Sequence, residues 1–162
     1  MPHASHRLDL VILPQDLEQT LDEATIQALF ESWGVDSRGH TGQAERIVEG
    51  GCRRIWLDQP GRLWLYGNQS GGFRVQCPRC QDNISAAFGR AHRAWKQGSD
   101  RVVECPVCGS VYGLEDCDFR PPAAFARWAI VLADVGSGEL QAGVSDQLTA
   151  AIGAFQVIIR RP

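Results

Sequence analysis

Four of the six cysteines fall in two matched Cys-Pro-X-Cys pairs, Cys77-Pro78-Arg79-Cys80 and Cys105-Pro106-Val107-Cys108, with 24 residues between Cys80 and Cys105. Two residues between cysteines let a tight turn aim both sulfurs at one point, and two such turns supply the four donors of a tetrahedral metal site. Proline after the first cysteine of each pair presets the turn, and Gly109 after the second pair admits a backbone conformation that other residues resist. A thioredoxin-like redox centre uses one such pair, whereas two are present here. Iron in the same tetrathiolate remains open, but zinc is favoured because nothing nearby suggests electron transfer. Four filled positions point to a structural ion, since a catalytic zinc keeps one position for water.

The motifs "CPRC" and "CPVCG" resemble those of a zinc ribbon of the double zinc-knuckle type, over residues 73–120. The resemblance implies an inserted ribbon that holds one structural Zn²⁺ through Cys77, Cys80, Cys105 and Cys108. Cys52 and Cys117 are expected to be free thiols in or near a core. Cys52 precedes two arginines that would favour a thiolate, yet a strand cysteine is usually packing. His3 and His6 stand at metal-chelating spacing in an N-terminus that is expected to fray.

Strand–helix–strand patterns flank the cysteines. "RLDLVIL" (7–13) reads as a strand and "LDEATIQALFESWG" (21–34) as a helix with acidic residues in its first turn and a glycine stop. "CRRIWLDQPGRLWLYG" (52–67) reads as a hairpin about Pro60-Gly61, "GNQSGG" (67–72) as a turn and "FRVQ" (73–76) as a short strand. After a Pro-Pro break, "RWAIVLADV" (127–135) reads as a strand, "SDQLTAAIGA" (145–154) as a helix capped by Ser145, and "FQVIIRR" (155–161) as a last strand. The expected fold is α+β: an elaborated ferredoxin-like sandwich formed by residues 1–72 and 121–162, with the zinc ribbon of 73–120 inserted.

Between the knuckles, "NISAAFGRAHRAWKQG" (83–98) carries Ile84, Phe88, Ala91 and Trp95 on an apolar helical seam, with Arg90, Arg93 and Lys96 on other faces and His92 alongside. These cations, with Arg79, could hold phosphate or an acidic partner, but a solvated stripe opposite a packed seam is the commoner arrangement. Charge argues the same way. Residues 1–72 carry six Lys/Arg against ten Asp/Glu, residues 73–120 seven against six, and the whole chain is −3, so the strongly basic domain of a nucleic-acid binder is missing.

No nucleotide, hydrolase or metalloprotease signature occurs. The N-terminal apolar run is broken by Asp9, and no segment approaches the ~20 apolar residues of a membrane span. The sequence therefore predicts a cytoplasmic, non-enzymatic zinc protein that binds another protein, as an adaptor, regulator or toxin-neutralising factor would, with nucleic acid as the second choice. Trp56, Trp64 and Tyr66 are the candidate aromatic anchors.

Overall fold

The structure, a computed structural model, describes residues 7–68 and 72–162. His3 and His6 lie outside the described residues, as do positions 69–71 of the glycine-bearing turn. In chain order the elements are β1 (Asp9–Pro14), α1 (Glu23–Ser32), α2 (Ala44–Ile47), β2 (Arg54–Asp58), β3 (Trp64–Tyr66), β4 (Arg74–Gln76) and α3 (Ser85–Lys96). They continue with β5 (Val102–Glu104), β6 (Val111–Gly113), a 3-10 turn at Leu114–Asp116, β7 (Asp118–Arg120), β8 (Ala124–Ala126), β9 (Ala129–Ala133), α4 (Ala142–Ile152) and β10 (Phe155–Arg160). The fold is mixed α and β, with antiparallel sheets. Two compact units result, one formed by Met1–Ser70 with Phe125–Pro162 and the other by Gly71–Ala124.

The first unit is built on a four-stranded sheet in the order β10-β1-β9-β2. Every pairing in it is antiparallel: Val11 opposes Ile158 and Val131, and Val131 in turn opposes Trp56. Strand alternation assigns Leu10, Ile12, Ile55, Ile130 and Leu132 to one face, where they join Ile26, Leu29 and Trp33 of the α1 region and Val144, Leu148 and Ile152 of α4 in one buried cluster. Helical spacing in both segments makes this possible, because residues three and four apart share a face. The Trp33 indole N–H also donates to Gln147 Oε1 at 2.8 Å, tying the end of α1 to α4. On the opposite face Val11, Leu13 and Val131 are buried too, and the Asp9 carboxylate meets Arg160 at 3.6 Å with both residues nearly enclosed.

Three local expectations change. The segment 52–67 is not a two-stranded hairpin: β2 pairs with β9, and β3 pairs with β8. Ile55 and Leu57 gain more by extending the main sheet over the helices than by pairing across Pro60-Gly61. Helix α4 begins at Ala142 after Gln141, leaving Ser145 inside the helix and not at its cap. The earlier start is fixed by Gln141, whose amide donates to the Ile47 carbonyl and whose side chain donates to the Glu45 carbonyl. Tyr66, expected as a surface anchor, is 1% exposed and donates its hydroxyl to Asp58 at 2.8 Å. It is a core residue.

Candidate metal centre

The second unit is small and regular. Strand β4 pairs with β7, placing Val75 opposite Phe119, and β5 pairs with β6, placing Val103 opposite Tyr112. Helix α3 lays Phe88 edge-on against Phe119, with ring centroids 5.2 Å apart. Val75, Ile84, Phe88, Val103, Leu114 and Phe119 are buried, so the apolar seam read from the sequence is the packing face of this helix. The first Cys-Pro-X-Cys turn leaves the end of β4, and the second closes the β5–β6 hairpin.

Both turns are built alike. In the first, the Gln81 amide donates to the Cys77 carbonyl and the Cys77 amide to the Asp82 carbonyl, each at 2.9 Å. In the second, the Gly109 amide donates to the Cys105 carbonyl at 2.9 Å and the Cys105 amide to the Ser110 carbonyl at 2.8 Å. Gln81 and Gly109 occupy the same place, four residues after the leading cysteine, and both are left-handed, with φ of 65° and 74°. Glycine meets that demand freely, whereas Gln81 adopts a conformation that non-glycine residues rarely take. Only the glycine advertises the geometry in the sequence.

The four sulfurs converge. One ligand atom from each of Cys77, Cys80, Cys105 and Cys108 lies within 4.8 Å of all the others. Cys77 and Cys108 Sγ are 3.7 Å apart, as are Cys80 and Cys105 Sγ. A metal–sulfur bond of ~2.3 Å in a tetrahedron requires sulfur–sulfur edges of roughly 3.8 Å, and a disulfide requires about 2.05 Å. The spacing therefore suits a metal ion, and all six cysteines are free. Among the described residues no other group of potential ligands gathers this closely.

Further groups address the sulfurs. Cys77 Sγ accepts from the amides of Arg79 and Cys80 at 3.4 and 3.5 Å, and the Tyr112 hydroxyl lies 3.2 Å from it. Cys108 Sγ is 3.3 Å from Ser110 Oγ, which receives the Arg79 guanidinium at 3.2 Å. Arg79 thus bridges the two turns. Desolvation opposes ionisation of Cys77, but the Cys80 amide, the Tyr112 hydroxyl and the Arg79 amide outweigh it and bring its pKa down to about 6. For Cys80 the Asp82 amide favours the thiolate, yet desolvation and the adjacent Cys105 and Cys77 push it up to about 12. Four thiols this close lose all their protons only when a cation balances the charge. Tyr112 was not legible as a site residue, because its reach to Cys77 follows from strand register and not from a motif, and Ser110 acts from within the second turn, two residues after Cys108.

The remaining candidates separate. Cys117 is buried with its thiol 3.9 Å from the Gly113 carbonyl, and it stands outside the four-sulfur group. Burial pushes the Cys52 thiol up to about 11, the opposite direction from the thiolate that its neighbouring arginines would favour. His92 lies between Phe88 and Trp95, 5.7 Å from each ring, and burial together with the Lys96 charge holds it below the usual imidazole value. Arg90, Arg93 and Lys96 are exposed on α3. Trp56 and Trp64 are half-buried, each under its own guanidinium: Arg54 at 5.4 Å and Arg62 at 4.9 Å from the ring centroids. Among the described residues no helix is long and apolar enough to cross a membrane. No family model, curated protein or solved structure matches the chain.

Proposed function

We propose that Cys77, Cys80, Cys105 and Cys108 hold one structural Zn²⁺ in a zinc ribbon, and that the protein works by binding another protein, without catalysis. The observation that carries the metal reading is the pair of 3.7 Å sulfur contacts, which match the edges of a zinc tetrathiolate. Zinc bound there rigidifies the hairpin and gives it no open position for substrate. The other unit has the order and directions of a ferredoxin-like sandwich: two strand–helix–strand units, β1-α1-β2 and β9-α4-β10, interleaved as β10-β1-β9-β2. Free, closely spaced thiols suit a reducing cytoplasm.

Support for a protein partner comes from the metal-bearing hairpin. Val102 and Val111 share its outer face, since Val102 opposes Gly113 and Val111 opposes Glu104, and Val107 stands at the tip. They are 47%, 62% and 65% exposed. Exposed valines on a hairpin held by a metal ion, with Glu104 opposite Val111 on the same face, are the kind of surface protein interfaces bury. Capture from the native host with the wild-type chain and with Val107→Asp/Val111→Asp as baits tests this: a partner retained by the first, lost by the second and indifferent to nuclease is expected. Equal recovery on both baits contradicts the reading.

A nucleic-acid role is the second reading. It rests on the absence of any carboxylate in Ser85–Lys96 beside the exposed Arg90, Arg93 and Lys96. Three cations give weak, salt-sensitive binding, which ranks it behind the first.

A further inference from the structure

The two edges of the four-stranded sheet are finished differently. At the β2 edge the Arg53 amide donates to the Ala133 carbonyl at 2.8 Å although Arg54 is the residue opposed to Ala133, so two residues face one in a β-bulge. The next outward amide, that of Ile55, is taken by the Gly39 carbonyl at 2.8 Å. A Cβ on Gly39 would sit 2.4 Å from the Ile55 carbonyl oxygen, so the loop lies tight against that strand. Over Arg53–Ile55 this edge is closed to pairing.

Among the described residues no backbone group covers strand β10 in this way, although Gly138 lies close against the Ile159 side chain. The direction of its backbone groups follows from two hydrogen bonds elsewhere: Arg53 N–H to Ala133 turns Ala133 toward β2, and Val135 N–H to Leu8, at 3.0 Å, turns the Leu8 carbonyl toward β9. Strand groups alternate with period two. Leu10 and Ile12 therefore exchange bonds with Leu132 and Ile130, while Asp9, Val11 and Leu13 exchange bonds with Arg160, Ile158 and Gln156. Phe155, Val157 and Ile159 are left pointing outward. Asn68 Oδ1 accepts from the Arg161 amide at 2.9 Å, and Gln15 Nε2 donates to the Phe155 carbonyl at 3.2 Å. Among the described residues no hydrogen bond reaches the outer groups of Val157 and Ile159. Their side chains are 36% and 43% exposed, and the six residues contain no lysine, proline or bulge. Proteins ordinarily protect such an edge.

We propose that β10 pairs antiparallel with β10 of a second copy of this chain, joining two four-stranded sheets into one across a two-fold axis at Val157. This register sets Val157 against its own counterpart, and Phe155 and Ile159 against Ile159 and Phe155 of the other copy. Each such pair exchanges two hydrogen bonds, and aromatic against β-branched residues is a favourable pairing. The charges agree with it. Arg161 falls opposite Gly153 of the second copy, beside the negative end of its α4, whose last turn has no basic residue. The dimer is independent of the metal reading.

Sedimentation velocity on the whole chain from about 1 to 200 μM tests the pairing by mass action. The expected result is a species of about 36 kDa, twice the 17.8 kDa chain. Val157→Lys sets like charges against each other on the axis and should weaken association several-fold, up to about fivefold. Val157→Glu should do the same, and mixing the two variants should restore the dimer as a heterodimer, which a misfolded variant could not do. Arg161→Glu, at an exposed position, should weaken it several-fold. A wild-type chain that stays monomeric throughout, a dimer indifferent to Val157→Lys, or a Lys/Glu mixture that fails to associate each overturns the proposal.

Discussion

Replacing Cys105 by Ser should loosen the four-cysteine unit while leaving the four-stranded unit intact. Residues 71–124 form a unit below the size at which an apolar core stands comfortably alone, and its buried side chains amount to little more than Val75, Ile84, Phe88, Val103, Leu114 and Phe119. A core of this size leaves about 3–5 kcal/mol at best, whereas a structural zinc contributes roughly 10–16 kcal/mol, about 3 kcal/mol for each thiolate if shared evenly. Loss of one ligand therefore takes away about 3 kcal/mol of the metal's share, comparable with what the core alone supplies, and leaves the unit folded but more open. The sheet of the other unit keeps its own enclosed cluster of Leu10, Ile12, Ile130, Leu132 and Leu148. Hydrogen exchange followed by mass spectrometry resolves the two: amides of 74–76, 102–104 and 111–113 should lose about a hundredfold in protection, the equivalent of ~3 kcal/mol, and those of β1 and β9 should not change. Uniform loss of protection in both units would refute the reasoning, because it would make the metal a keystone of a single cooperative core.

Gln81→Gly relieves the left-handed strain at the first cysteine turn and should raise the stability of this unit by ~1 kcal/mol, read as slower loss of zinc to a chelator. Tyr66→Phe removes the hydroxyl that Asp58 accepts and should cost about 1 kcal/mol in denaturant unfolding of the other unit. Cys52 makes high pH destabilising: the unfolded thiol titrates near 9.0 and the folded one at about 11, so its contribution is complete below pH 9 and lost as pH rises between those values. Cys52→Ser should flatten that part of the stability profile relative to wild type. If α3 does touch nucleic acid, three cations limit the slope of log affinity against log salt to roughly −3; steeper, sub-micromolar binding at physiological salt, abolished by Glu at Arg90, Arg93 and Lys96, would reverse the ranking of the two binding readings.

The clustering of the four cysteines was legible because chemistry fixes it locally: two residues between cysteines, twice, aim the thiols at one point. The helical seam of Ile84 and Phe88 and the strands around Val11 and Val131 were equally plain, since periodicity states which face is buried. What escaped depends on partners distant in the chain. "RIWLD" and "WLY" flank a good turn signal, yet β2 finds its partner in β9 about 75 residues later, and no local pattern records that choice. Tyr66 looked like a surface aromatic for the same reason, its enclosure and its Asp58 acceptor being products of tertiary packing. Gln81 hid the symmetry of the two turns because a glutamine does not announce a positive φ, and Tyr112 reaches Cys77 only through the register that sets it opposite Val103.

X-ray absorption at the zinc edge, on protein purified without added metal and quantified for zinc per chain, tests the four-thiolate centre most directly. One zinc per chain with four sulfur scatterers at about 2.3 Å is the expected result. A first shell containing nitrogen or oxygen, iron in place of zinc, or a metal-free protein with Cys77 joined to Cys80 by a disulfide would contradict it.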